Sequence, residues 1–174
     1  PREALAANWE TVTRESGILV STREEDGREF PSFRGIGRVN GNIWQILAIV
    51  EDADRHQEWM PKCNGSKLLS SAKNGHYVWH RTDAPNPVKD RDIVLKGHFE
   101  VHKDGKDIWT KFKQTKHSQM PPIPGVIRMP RLQGHYHLVA ADDSHTLVEY
   151  RVNADPGGSI PKWLVKLTTK DLPL

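Results

Sequence analysis

Leu147-Val-Glu-Tyr-Arg-Val-Asn-Ala-Asp155-Pro-Gly-Gly158-Ser-Ile-Pro161-Lys-Trp163-Leu-Val165 reads as a strand that turns into a helix. Alternation places Thr146, Val148, Tyr150, Val152 and Ala154 on one face of an extended chain. After the Gly-Gly turn, Ser159 can cap a helix, and Pro161 falls in its first turn, where a missing N–H costs nothing. Trp163, Leu164 and Leu167 then share one helical face, while Lys162, Lys166 and Lys170 point elsewhere. A closing helix laid against a largely antiparallel sheet encloses an apolar hollow, an arrangement suited to holding a greasy molecule.

Composition narrows the classes further. The 174 residues are enough for one domain with a real core. Only 36% of them are hydrophobic, but six are tryptophans, and large aromatics carry a core or line a pocket where aliphatics are few. A net charge of +3 without a long Lys/Arg run argues against nucleic acid as a partner and suits transient contact with an anionic membrane surface. Cys63 is the one cysteine, which excludes an internal disulfide and argues against a zinc–cysteine site. No stretch approaches the roughly 18–20 apolar residues of a membrane span. The chain opens on Pro1 and not Met, which leaves a removed N-terminal segment, and with it the compartment, open.

Leu5, Trp9 and Val12 predict a helix over 3–15, ended by Gly17. Strands are expected over 18–25 and 28–39 around the hairpin signal Asp26-Gly27. Ile43, Trp44, Ile46, Leu47 and Val50 predict a short helix, and Asp52 to Trp59 a second. From Ser66 onward the pattern is strand after strand: 66–71 and 76–83 around Asn74-Gly75, 91–103 and 106–116 around Asp104-Gly105, then 131–141 and 145–154. The connections are mostly short, and parallel strands would need long crossovers, so this part of the sheet is antiparallel. Two connections break that rule, 84–90 and 117–130, both rich in proline. Longer ordered loops tend to be lids or binding loops, although prolines also stiffen ordinary connectors.

Four pieces in this order carry a family likeness: Trp44 with Trp59-Met-Pro; Pro87-Val-Lys-Asp-Arg91-Asp92-Ile-Val; Val126-Ile-Arg128; and Asp155-Pro-Gly-Gly-Ser-Ile-Pro161-Lys-Trp163. Across nearly the whole chain the pattern resembles the START domain, the lipid-transfer domain related to steroidogenic acute regulatory protein. The resemblance implies an α+β helix-grip fold in one domain over 1–174: a curved antiparallel sheet wrapped around a C-terminal helix, with two short helices inserted after strand 2. It implies an internal tunnel for one hydrophobic or amphipathic lipid (a sterol, fatty acid or phospholipid), with no cofactor, metal or catalytic residue. The loop of Pro85, Asn86, Pro87 and Val88 would act with the final helix as a gate, with the 117–130 loop near the same mouth. The family's final helix usually runs further, so it either continues beyond Leu174 or is short here.

Alternation assigns faces independently of the family. Ile93, Leu95, Gly97 and Phe99 share one side of their strand, as do Phe112 with Ile108, Tyr136 with Leu138, and Tyr150 with Val152. With Trp163 and Leu167 they are the expected cavity lining, or an ordinary solid core. Trp79 and Arg81 alternate in phase with Tyr77, which puts a cation beside two aromatics. An inward Arg81 needs a carboxylate or a polar ligand group; the alternative is a surface arginine near a strand end. Gly97 offers no side chain where sterol-binding relatives tend to carry a polar one. Arg91 and Asp92 look like the family's start-of-strand pair, with Arg91 tying the gate loop to the sheet.

Enzymatic signals are weak. His135 and His137, and likewise His98 and His102, have a workable spacing for two metal ligands, but both pairs fall on the side opposite the apolar stripe. No nucleophile elbow or nucleotide fingerprint is present. The wider superfamily includes polyketide cyclases and aromatases, which would use inward polar groups such as Arg81, Tyr136 or Tyr150, and ligand-sensing modules. Lys162, Lys166 and Lys170 are placed to help the final helix meet anionic headgroups.

Overall fold

The computed structural model describes residues 9–159. Their elements are β1 (Glu10–Glu15), β2 (Ile18–Arg23), β3 (Ser32–Asn40), α1 (Ile43–Glu51), a 3₁₀ turn (Ala53–Glu58), β4 (Cys63–Ala72), β5 (Gly75–Thr82), β6 (Arg91–His102), β7 (Asp107–Gln114), β8 (Ile127–Arg128), β9 (Arg131–Ala140) and β10 (His145–Asp155). One sheet runs in the order β1-β2-β3-β10-β9-β7-β6-β5-β4, antiparallel throughout, and the two-residue β8 joins the start of β6 in parallel. The expected closing helix, with Trp163, Leu167 and its three lysines, lies outside the described residues, as does the first half of the expected N-terminal helix.

Residues 10–15 are a strand, not the second half of a helix. Ser16 and Gly17 both take positive φ, 52° and 80°, and form a two-residue hairpin turn that pairs Glu15 with Ile18. Gly17 therefore turns a hairpin, and β-branched Thr11, Val12 and Thr13 suit the strand that precedes it. The helical insert accordingly follows the third strand, not the second. Asp26-Gly27 does turn, but within a longer connection from Arg23 to Ser32. Glu25 braces that connection, accepting from Arg23 Nη2 at 2.7 Å and from Ser32 Oγ at 2.5 Å.

α1 starts where Asn42 and Gln45 form a reciprocal capping box: Asn42 Oδ1 accepts from the backbone N–H of Trp44 and Gln45, and Gln45 Oε1 accepts from the N–H of Asn42. Its apolar side, Ile43, Ile46 and Leu47, packs on Ile108 and Leu138, both fully buried. This contact covers one end of the sheet's inner face and leaves the rest of that face open beneath it.

Cross-strand partners share a face. Phe33, Val152, Gly134, Phe112, Gly97 and His76 form one row across six strands, and Gly35, Tyr150, Tyr136, Thr110 and Phe99 form the next. Large rings lie beside glycines in the first row: a Cβ on Gly134 would stand 2.7 Å from Phe112 Cζ and collide with the Arg151 carbonyl, and one on Gly97 would stand 2.8 Å from His76 Nε2. Gly134→Ala is expected to cost about 1–3 kcal/mol of stability, because backbone as well as a ring must shift. Urea unfolding checks this, and a variant as stable as the parent would show the row to be looser than described.

Candidate ligand cavity

Beneath α1 and the 3₁₀ turn, the inner face lines a partly open cavity of about 320 Å³. Most of its wall is apolar, including Val78, Ile93, Leu95, Leu132 and Val148, with Trp59, Met60 and Met129 contributed from outside the strands. Phe112, Tyr136 and Tyr150 form an aromatic wall, the two tyrosine rings 4.6 Å apart. Burial pushes both tyrosine hydroxyls well above the ordinary phenol range, Tyr136 further through its neighbour Tyr150.

Of the residues expected to line a cavity, Ile93, Leu95, Phe112, Tyr136 and Tyr150 do so. Leu138 is fully buried under α1, and Val152 is buried between Gly134 and Phe33; neither reaches the cavity wall. Phe99 is 48% exposed, beyond the point where the enclosure ends. Trp79 and Arg81 belong to the opposite face. β5 pairs His76 with Gly97, Val78 with Leu95 and His80 with Ile93, so the even-numbered residues face the cavity and the odd ones do not. The long connection between β5 and β6 sets no register, and both phases of His76–Thr82 carry aromatic and polar residues, so alternation alone did not choose between them.

Turned outward, these two residues brace the loops. Arg81 donates to Asp90 Oδ2 at 2.7 and 3.2 Å, closing the 84–90 loop, whose Ala84 N–H also reaches Asp90. Trp79 Nε1 donates to Asp92 at 2.9 Å, and Arg128 holds both oxygens of that carboxylate at 2.8 Å. Arg128 donates as well to the carbonyls of Met120 and Pro121, which folds the 117–130 loop back on itself. Burial pushes the Asp92 carboxyl up, but the bonds from Arg128 and Trp79 and the nearby positive charge outweigh it and hold the group below the usual aspartate range. Arg91, also buried, donates to the carbonyls of Lys89 and Gly157. Pro85, Asn86 and Pro87 are exposed, and none of residues 85–88 lines the cavity. Asp92→Asn is expected to cost about 3 kcal/mol or more by leaving Arg128 poorly compensated, and to increase proteolysis within 117–130. Unchanged stability together with unchanged cleavage would separate Asp92 from the loop.

The polar part of the wall was not anticipated. Glu51, at the end of α1, accepts from Thr110 Oγ1 at 2.7 Å and faces His76 Nδ1 at 3.3 Å. His56 Nε2 lies 2.9 Å from the Val50 carbonyl, and His56 Nδ1 lies 2.7 Å from His80 Nε2. A carbonyl only accepts, so His56 Nε2 carries a proton, and in a neutral His56 ring Nδ1 accepts from His80 Nε2–H. Burial, and then the neighbouring His56, press His80 down to about 3; burial likewise lowers His56 despite its bond to Val50. Capacity to bind the proton in the unfolded chain but not the folded one means stability falls as pH drops from about 6.5 toward 3. For His80 alone the loss between pH 7 and 5 is up to about 2 kcal/mol. Denaturant unfolding at the two pH values should show a smaller difference for His80→Phe, and an equal difference would locate the proton elsewhere.

On the outer face, His135 and His137 flank Trp109, His137 stacked on it at 3.9 Å, and their Nε2 atoms meet Glu149 and Asp107. Trp9 lies against the guanidinium groups of Arg23, Arg34 and Arg151 at 4.4–5.2 Å.

Comparison with known proteins agrees with this architecture. A STAR-related lipid transfer protein from Xanthomonas axonopodis, solved as a fragment, is 31% identical and superposes with a TM-score of 0.85, covering 95% of this chain and 92% of that one. An uncharacterised protein of Pseudomonas aeruginosa is 31% identical over 171 residues, 98% of this chain and 84% of its own length. The phosphatidylcholine transfer protein of Rattus norvegicus is 23% identical over 95% of this chain and 78% of its own length. The START domain family matches residues 2–171, and with that match, the antiparallel sheet and the mostly apolar cavity, the chain belongs to the START domain family.

Proposed function

We propose that this chain holds one hydrophobic or amphipathic lipid in the cavity and carries or presents it to a membrane without altering it chemically. The observation that carries the reading is the concave, predominantly apolar wall beneath α1. Removing a lipid's apolar surface from water is worth about 25 cal/mol per Å² before entropic costs, which supplies the driving force. The names of the Xanthomonas and rat relatives point the same way. Exchange requires an opening, and the 84–90 and 117–130 loops, both tied to the start of β6, are the segments we assign to it, together with the chain that follows Gly157. The contact of Glu51 with Thr110 and His76 gives an enzymatic reading of the superfamily's cyclase type one favouring observation.

Native mass spectrometry of the protein purified from lipid-rich cells, followed by extraction, tests the proposal. A stoichiometric lipid released unmodified supports the carrier. An empty protein that takes up no fluorescent sterol, fatty acid or phospholipid overturns it, and a small aromatic converted on incubation moves the assignment to an enzyme. Val148→Trp, which places an indole inside the wall, is expected to reduce lipid capture about tenfold while the fold persists.

A further inference from the structure

Charge inside the cavity is unusual for a site that would take a phosphate or a carboxylate. With Arg81 turned outward onto Asp90, no lysine or arginine lines the wall among the described residues, and the acidic group there is Glu51. Its side chain is 18% exposed and ends within the enclosure. A carboxylate offers about four acceptor positions. Thr110 takes one and His76 faces another, so the remainder are available to an occupant. Of the histidines on the wall, His76 faces Glu51, and burial disfavours the charged forms of the bonded pair His56 and His80. Tyr136 pairs with Thr110 and Tyr150 with Tyr136, so two phenol hydroxyls stand in the same cross-strand row as the threonine bound to Glu51.

We infer that Glu51 selects the occupant's polar end: a lipid whose head donates hydrogen bonds and bears no negative charge, such as a hydroxyl or an amide. This rests on the carrier reading and refines it. A donor entering the cavity meets an open carboxylate lone pair and gains a charge-assisted bond. An anionic head meets like charge at Glu51, on a wall that carries no lysine or arginine among the described residues.

The test compares two ligands with the same acyl chain and linker, N-palmitoyl ethanolamine and N-palmitoyl taurine, which differ in a hydroxyl against a permanently ionised sulfonate. Displacement of a bound fluorescent lipid at pH 7 is expected to favour the ethanolamide by about tenfold or more. Glu51→Gln still accepts from Thr110 but loses the charge, and should bring that ratio toward one through tighter taurine binding. Equal affinities in the parent, or an unchanged ratio in Glu51→Gln, overturn the inference and leave the carrier standing. Binding of neither amide by a protein that also retains no lipid removes the carrier reading, and this inference with it.

Discussion

The buried carboxylate of Asp92 organises the end of the molecule where its longest loops converge. Its oxygens are shared between Arg128, from the 117–130 loop, and Trp79, from the neighbouring strand. A lone carboxylate at this depth would be strongly destabilising, so the fold surrounds it with donors. The parallel pairing of β8 with β6 follows from that grip, since Ile127 and Met129 donate to the carbonyls of Asp90 and Asp92. Arg91, one residue earlier, reaches the carbonyls of Lys89 and Gly157. Two adjacent residues on one strand thus tie together three segments distant in sequence.

The cavity exists because the inner face is unevenly filled. α1 seals one end with aliphatic contacts on Ile108 and Leu138, and beyond it one row sets rings beside Gly134 and Gly97. Gly134 and Gly97 give the rings of Phe112 and His76 room to lie along the sheet, and Tyr136 and Tyr150 line the cavity beside them. Phenols are uncharged at neutral pH, and burial disfavours charge on the His56–His80 pair. The cavity therefore presents hydrogen-bonding capacity, with Glu51 the carboxylate on its wall among the described residues.

How much of this was legible differs by element. The strands from Ser66 onward apart from the two-residue β8, both short helical segments and the family were readable, because period-two alternation, turn residues and the four ordered pieces agree with one another. The inner faces of β6, β7, β9 and β10 were also readable from their apolar stripes, although Phe99, Leu138 and Val152 fall outside the cavity wall that those stripes form. β1 was misread because the four- and three-residue spacing of Leu5, Trp9 and Val12 imitates a helix, while Ser16-Gly17 serves equally as a helix end or a hairpin turn. β5 was misread because both of its faces carry aromatic and polar residues, and its phase is set by pairing with β6.

The amino-acid order by itself determined the antiparallel sheet, its helical insert and its family, since these depend on local periodicity and turn chemistry. Only the tertiary structure decided which side chains meet the cavity. Register across β5 and β6 turned Arg81 and Trp79 outward to hold the loops, and turned His76 and His80 inward. The end of α1 carried Glu51 to Thr110, 59 residues away in sequence. Alternation within a strand is a local property, but the choice of face, and the partners found there, follow from pairing between segments far apart in the chain.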